Sequence, residues 1–203
     1  MGRVIDQYLQ RHAEPEAFCS SLGAQPALAK KQRYQHVLVI PAFAESERFL
    51  AAVLSHCMHA DLLSIVVVNA PEQPTATEQQ IKSTLKLLSS LKHSEQTPLL
   101  VIDRASLGQR IPSKQGVGLA RKIGTDIALR LHRDGQIASP WLYQTDADAR
   151  LPKDYFSAIS PQQQGTVVFS HQHVSKDPIL AQAAELYDAC LLYTSPSPRD
   201  NKA

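Results

Sequence analysis

His36-Val37-Leu38-Val39-Ile40-Pro41 is a β-branched apolar run closed by proline. A strand that is apolar at consecutive positions buries both of its faces, and two-faced burial is the mark of a parallel sheet covered by helices. Three more runs lie downstream: Leu62 to Val68, ended by Asn69 and Pro71; Leu99 to Ile102, ending at Asp103; and Trp141 to Thr145. Helical periods fill the gaps. Glu45 to Met58 carries Phe49, Leu50, Val53, Leu54 and Cys57 at spacings of three and four, and Thr75 to Leu91 carries Ile81, Leu85, Leu88 and Leu91. Gly116 to Leu131 repeats the pattern with Val117, Ala120, Ile123, Ile127 and Leu131. The resulting β-α-β-α-β-α-β order predicts an α/β fold with a mostly parallel sheet and helices on both faces. A further strand, Thr166 to Ser170, and a helix from Ile179 to about Leu191 complete the readable part.

Outside this core the pattern weakens. Residues 1–35 read as an N-terminal extension: Val4, Ile5, Tyr8 and Leu9 line one face of a short helix, but Pro15, Gly23 and Pro26 interrupt the rest of the segment, so a surface arm is expected. Residues 104–115 form a polar loop of a length that suggests binding or disorder. The main domain is expected over 36–190. Residues 191–203 lose the apolar pattern and contain two prolines. They resemble an adapter-derived translation found at the ends of frames assembled from environmental DNA, so a disordered, non-native tail on a truncated domain is expected.

Bulk composition narrows the classes. With 21 basic and 19 acidic residues the net charge is +2, and nothing in that balance calls for a nucleic acid or an anionic membrane as partner. Cys19, Cys57 and Cys190 are odd in number and lack CxxC spacing, which argues against a disulfide framework or a structural zinc site and for a reducing, cytoplasmic setting. The N-terminus has no signal-peptide core, and no window reaches the roughly 18 apolar residues of a membrane span.

Chemistry concentrates where strands end. The fourth run closes in Thr145-Asp146-Ala147-Asp148, so two carboxylates reach the carboxyl edge of the sheet, where open α/β folds bind ligands. With 11 Asp in the chain, chance supplies roughly half of one such spacing, so order and context carry the argument. The first run ends Ile40-Pro41-Ala42-Phe43-Ala44-Glu45, and between the two lies Gly116-Val117-Gly118-Leu119-Ala120-Arg121-Lys122-Ile123-Gly124. The glycines let backbone approach a ligand and a helix start there aims N–H groups at an anion. Arg110, Lys114, Arg121 and Lys122 add charge suited to a diphosphate or an anionic acceptor, or else form a solvated basic face. His171 and His173, two apart on a strand, share a face; they read as ligands to a metal or an acceptor, or as solvent-facing edge residues.

The three motifs in this order resemble family 2 glycosyltransferases of the GT-A fold, whose first strand reads approximately VIPxxNE, whose third helix carries GxxxARNxG, and whose fourth strand ends in DxD. The resemblance spans about residues 36–175. It implies a Rossmann-like GT-A sheet that binds a nucleotide-diphosphate sugar. It further implies that Asp146 and Asp148 hold Mn²⁺ or Mg²⁺ against the diphosphate, with Asp148 the direct ligand and Asp146 facing ribose or sugar. Pro41, Ala42 and Glu45 match the nucleotide-contacting loop, and Gly118 and Arg121 fall in the helix motif. Two departures stand out: Ala44 replaces the usual Asn, and Asn69 stands where an Asp normally reads the base, which puts a preference for uracil in doubt. Transfer to an unknown acceptor with inversion is implied, and that needs a general base. The family places it downstream, so it is expected to be missing from this chain, with Asp177, Glu185 and Asp188 poor substitutes. The alternative among enzymes is a nucleotidyltransferase of related architecture, which would also use aspartates and a metal but needs a glycine-rich, lysine-bearing loop that Pro41-Ala42-Phe43-Ala44 lacks; a haloacid-dehalogenase phosphatase would carry DxD after the first strand, and here it follows the fourth. A nucleotide-binding module without activity is the non-enzyme alternative.

Overall fold

The computed structural model describes residues 2–29, 32–56, 61–72, 76–94, 98–112, 114–160, 162–163, 165–169, 172–175 and 177–194. The chain divides into two units, Met1–Gln162 and Gln163–Ala203. The first begins with α1 (Gly2–His12), two 3₁₀ turns (Pro15–Phe18 and Ser20–Ala24) and α2 (Pro26–Ala29). It continues through β1 (His36–Ala42), α3 (Phe49–Val53), β2 (Leu62–Asn69), α4 (Glu78–Lys92), β3 (Leu99–Arg104), α5 (Gly116–Arg133) and β4 (Tyr143–Gln144). The second holds α6 (Pro178–Thr194). No helix among the described residues is long and apolar enough to cross a membrane.

The four strands form an all-parallel sheet in the order β3-β2-β1-β4, a Rossmann-like order in which strands are added outward from β1 on one side and then, at β4, on the other. The expected α/β class with helices on both faces is what the chain forms. Val37 and Val39 of β1, Leu63, Ile65 and Val67 of β2, and Leu100 and Ile102 of β3 meet Ala120, Ile123, Ile127 and Leu131 of α5 in one core cluster. On the opposite face Leu38, Ile40, Val66 and Val68 are equally buried, and α4 packs there against β2 and β3 with Leu87, Leu88 and Leu91.

Several boundaries differ from expectation, each for a physical reason. The N-terminal segment is not a surface arm: Ala17, Leu22, Ala27, Leu28 and Tyr34 join the core cluster on the α5 face. Buried Asp126 of α5 holds it there, accepting hydrogen bonds from Tyr8 Oη (2.9 Å), the Glu14 backbone N–H (2.9 Å) and Lys122 Nζ (2.8 Å), as a buried carboxylate requires. The helix expected from Glu45 begins only at Phe49, because the chain turns through Ala44 to Arg48 first; Cys57 and Met58 lie outside the described residues. In α4 the buried stripe is Thr84, Leu87, Leu88 and Leu91 rather than one through Ile81 and Leu85, and Leu85 is exposed. The shift brings Thr84 inward, where its hydroxyl is used by the backbone. Loop 104–112 is anchored by buried Ile111, which bridges Pro71.

Residues 166–169 form no strand; the sheet ladder ends at β4, and β propensity without a neighbouring strand does not make one. Ser170 lies outside the described residues, as do residues 195–203 of the expected tail. α6 runs on to Thr194, three residues past the expected change of character at 191.

α5 lies unusually close to the sheet at Gly124. A Cβ built there would sit 2.3 Å from Val39 Cγ1, a stiff β-branched side chain with no exposure. Gly124→Ala is expected to lower stability by about 1–3 kcal/mol. Combined with Val39→Ala, the loss should be smaller than the sum of the two single losses. Urea denaturation of the three variants measures this, and strict additivity would show that helix and strand do not touch there.

Candidate functional site

The carboxyl ends of β1, β2 and β4 and the start of α5 enclose a cleft of about 380 Å³, at the point where the strand order reverses. Pro41, Phe43 and Glu45 supply one side, Asn69 and Pro71 another, and Asp146 to Asp148 a third; Ile111, Gly116 and Val117 close it. The parallel ladder explains the convergence. Pro41 stands opposite Val67, and Thr145 N–H, donating to Val39 O at 3.1 Å, brings the β4 end alongside β1.

Asp146 and Asp148 are both exposed while Ala147 between them is 6% exposed, so the buried methyl pins the turn and both carboxylates emerge at the cleft. They differ in their neighbours. Arg121 Nη2 of α5 donates to Asp146 Oδ1; no cation among the described residues pairs with Asp148. Glu45 faces Asp148 from the β1 loop. Burial first, and the Asp148 charge second, raise its carboxyl pKa above the usual 4.5.

Asn69 is 8% exposed, and its Oδ1 has no hydrogen-bond partner among the described residues. A buried acceptor left unmade is costly and unusual; here it lines the cleft. Gln115 caps α5 without a side-chain bond, so the first N–H groups of an 18-residue helix open on the same space.

The remaining expected site residues separate. Ala42, 1% exposed, points away from the cleft into the core because side chains alternate along β1. Gly118 is exposed and lines no part of it: two residues past Gly116 on a helix is more than half a turn round. Lys122 is turned away, onto Asp126 and Glu14. Arg110 Nε closes its own loop on Ala105 O at 3.2 Å, and Lys114 is exposed outside the cleft lining. His171 lies outside the described residues. His173, in the second unit, bonds Asp188 through its backbone N–H (2.9 Å) and Nδ1 (2.5 Å). Asp177 accepts from Ile179 N–H at 2.9 Å and caps α6. The residues not anticipated are Phe43, Pro71, Ile111 and Val117, apolar groups just past strand ends, in the loop after β3 or opening a helix. Their position was readable, and their aim was not.

As to metal, Mg²⁺ and Mn²⁺ take hard oxygen ligands, often one or two carboxylates with phosphate and water completing the shell. The exposed pair Asp146 and Asp148 fits that donor set. Among the described residues no three His, Cys, Asp or Glu side chains form a fuller cage. Compared with known proteins, the chain matches no family model, no curated protein and no solved structure.

Ala44 and Glu45, on the loop after β1, can each be tested by stability. Ala44 holds a left-handed φ of 55° while its N–H donates to Thr84 Oγ1 at 2.9 Å; a side chain there is strained, and Asn or Gly tolerates the conformation better. Ala44→Gly should therefore raise stability by up to about 1 kcal/mol, read from the urea midpoint, and a loss would contradict the strain. For Glu45 the folded group binds its proton more tightly than the unfolded one. As pH rises past 4.5, the unfolded chain ionises first and stability falls until the folded group has ionised too. Glu45→Gln should match the parent chain at about pH 4 and exceed its stability at about pH 7; equal urea midpoints at both would refute the shift.

Proposed function

We propose that the chain is the donor-binding part of a glycosyltransferase, and that the cleft takes a nucleotide-diphosphate sugar with a divalent metal. The observation that carries the reading is the meeting of two exposed carboxylates, an unpaired buried amide and an open helix N-terminus at the sheet's reversal point, where open α/β folds bind nucleotides. The family 2 resemblance of the β1 loop, the α5 motif and Asp146-Ala147-Asp148 supports it.

In this reading Pro41 and Phe43 give the base an apolar wall, and Asn69 Oδ1 accepts an N–H from its edge. A neutral amide also offers donors, so it suits a base other than one selected by an aspartate. The N–H groups at Gly116 and Val117 and the Arg121 guanidinium face the diphosphate. Asp148 and Asp146 would hold Mn²⁺ or Mg²⁺. When bound, the metal supplies Lewis-acid neutralisation of the leaving diphosphate.

Within the second unit Asp177 and Asp188 are engaged in hydrogen bonds, and Glu185 is exposed on α6. The exposed free thiol of Cys19 suits a reducing, cytoplasmic setting.

Thermal melting with UDP-, GDP- and ADP-sugars, each with and without Mn²⁺, tests the reading. One of them at about 100-fold over its Kd should stabilise the chain by about 2.7 kcal/mol with metal, a rise of a few degrees, and by about half of that without metal. Asp148→Ala should remove the metal-dependent part, and Asn69→Leu should weaken the nucleotide by about tenfold. Absence of any metal-dependent shift overturns the reading, and a shift indifferent to metal favours a binding module.

A further inference from the structure

The two aspartates of the cleft are unlike, and α5 makes them so. Val117 lines the cleft, and Arg121, four residues on, lies on the same helix face. Helical side chains lean toward the helix N-terminus, so the guanidinium is carried back toward the cleft, where it meets Asp146 Oδ1. Lys122, the next residue, points a different way and is committed to Asp126 and Glu14. The pair is not deeply buried: the Arg121 and Asp146 side chains are 38% and 59% exposed, so water screens it and exchange of partners is cheap.

A guanidinium beside a carboxylate weakens the hold of that carboxylate on a second cation. Phosphate oxygens compete well for the same planar fork of donors. The open N-terminus of α5 is the second feature aimed at an anion, and it lies one helical turn from Arg121.

We infer that Arg121 is a positioning residue that couples the two ligands of the cleft: it holds Asp146 until a diphosphate takes over the guanidinium, and Asp146 then joins Asp148 on the divalent cation. The inference rests on the donor reading of the cleft. It gives Asp148 the standing affinity for metal and Asp146 the conditional one. By linkage, the metal must strengthen the diphosphate by the same factor that the diphosphate strengthens the metal.

The test is Mn²⁺ binding to the full chain, monitored by electron paramagnetic resonance of free Mn²⁺. It is run alone and with whichever of UDP-glucose, GDP-mannose or ADP-glucose shifts the melting temperature, with protein-free titrations subtracting complexes formed in solution. In the parent chain the nucleotide sugar should tighten Mn²⁺ by about 10-fold. Arg121→Gln should bind Mn²⁺ alone about 5-fold more tightly, since a neighbouring positive charge is gone, and the nucleotide sugar should then add about 2-fold or less.

Asp146→Asn, a milder change to an exposed side chain, gives an independent reading. It should leave the affinity for Mn²⁺ alone within about 2-fold while removing most of the coupling, whereas Asp148→Asn should lose Mn²⁺ altogether. Equal coupling in the parent chain and Arg121→Gln overturns the inference and leaves the donor reading intact, as does an Asp146→Asn chain that loses Mn²⁺ as fully as Asp148→Asn. Failure of every nucleotide sugar to bind overturns both.

Discussion

The contact between α5 and β1 at Gly124 is the constraint on which the rest of this molecule depends. A helix normally keeps its distance from a sheet because side chains fill the gap; here a missing Cβ lets the helix settle against Val39. That closeness buries Ala120, Ile123, Ile127 and Leu131 in one cluster with the strands. It also fixes the height of the helix over the sheet edge, so Gly116 and Val117 arrive level with the ends of β1 and β4. Two residues past Gly124 the same helix presents Asp126 to the N-terminal segment. One helix thus places the cleft wall, the partner of Asp146 and the anchor of the first thirty or so residues.

The aspartates owe their place to very little sheet. β4 pairs with β1 through two residues, Tyr143 and Gln144, and so short a ladder cannot by itself hold a strand end in register. Aromatic packing supplies the rest. Tyr143 lies edge-on to Phe156 with ring centres 4.9 Å apart, and its Oη donates to Phe156 O at 3.1 Å. Tyr155 Oη donates to Gln144 O at 3.1 Å. The segment after the aspartates folds back under them and grips the strand from which they emerge.

The sheet was legible because its strands are continuous apolar runs, and such runs have few alternative fates. Long α5 was legible through its period, and the cleft through its place at strand ends. What sequence could not supply was the aim of individual side chains. Lys122 and Arg121 are adjacent and chemically alike, yet a turn of about 100° per residue sends one to the N-terminal segment and the other to the cleft. Ala42 and Pro41 part for the corresponding reason in a strand. The N-terminal segment misled because its prolines break regular structure without preventing burial; Leu22 packs from a 3₁₀ turn and Tyr34 from a single bridge to Ile137, and neither carries a period. The Thr84 stripe on α4 was hidden because a threonine there serves a backbone N–H across the fold, at Ala44, and a polar residue counts against a core face until its partner is known.

The charges around the cleft limit what it can hold. Asp146, Asp148 and Glu45 make part of the wall acidic; the N-terminus of α5 makes another part electropositive, and Arg121 pairs with Asp146. A purely anionic ligand would meet repulsion from the carboxylates, and a bare cation would leave the helix terminus without an anion. A neutral apolar ligand would leave both parts unanswered and bury their charge at a cost. The proposed occupant answers both: an anion that travels with a cation, with an N–H to give to Asn69. In the reading we propose, a nucleoside diphosphate with its metal has that composition, and the two would strengthen one another because each neutralises the charge that repels its partner.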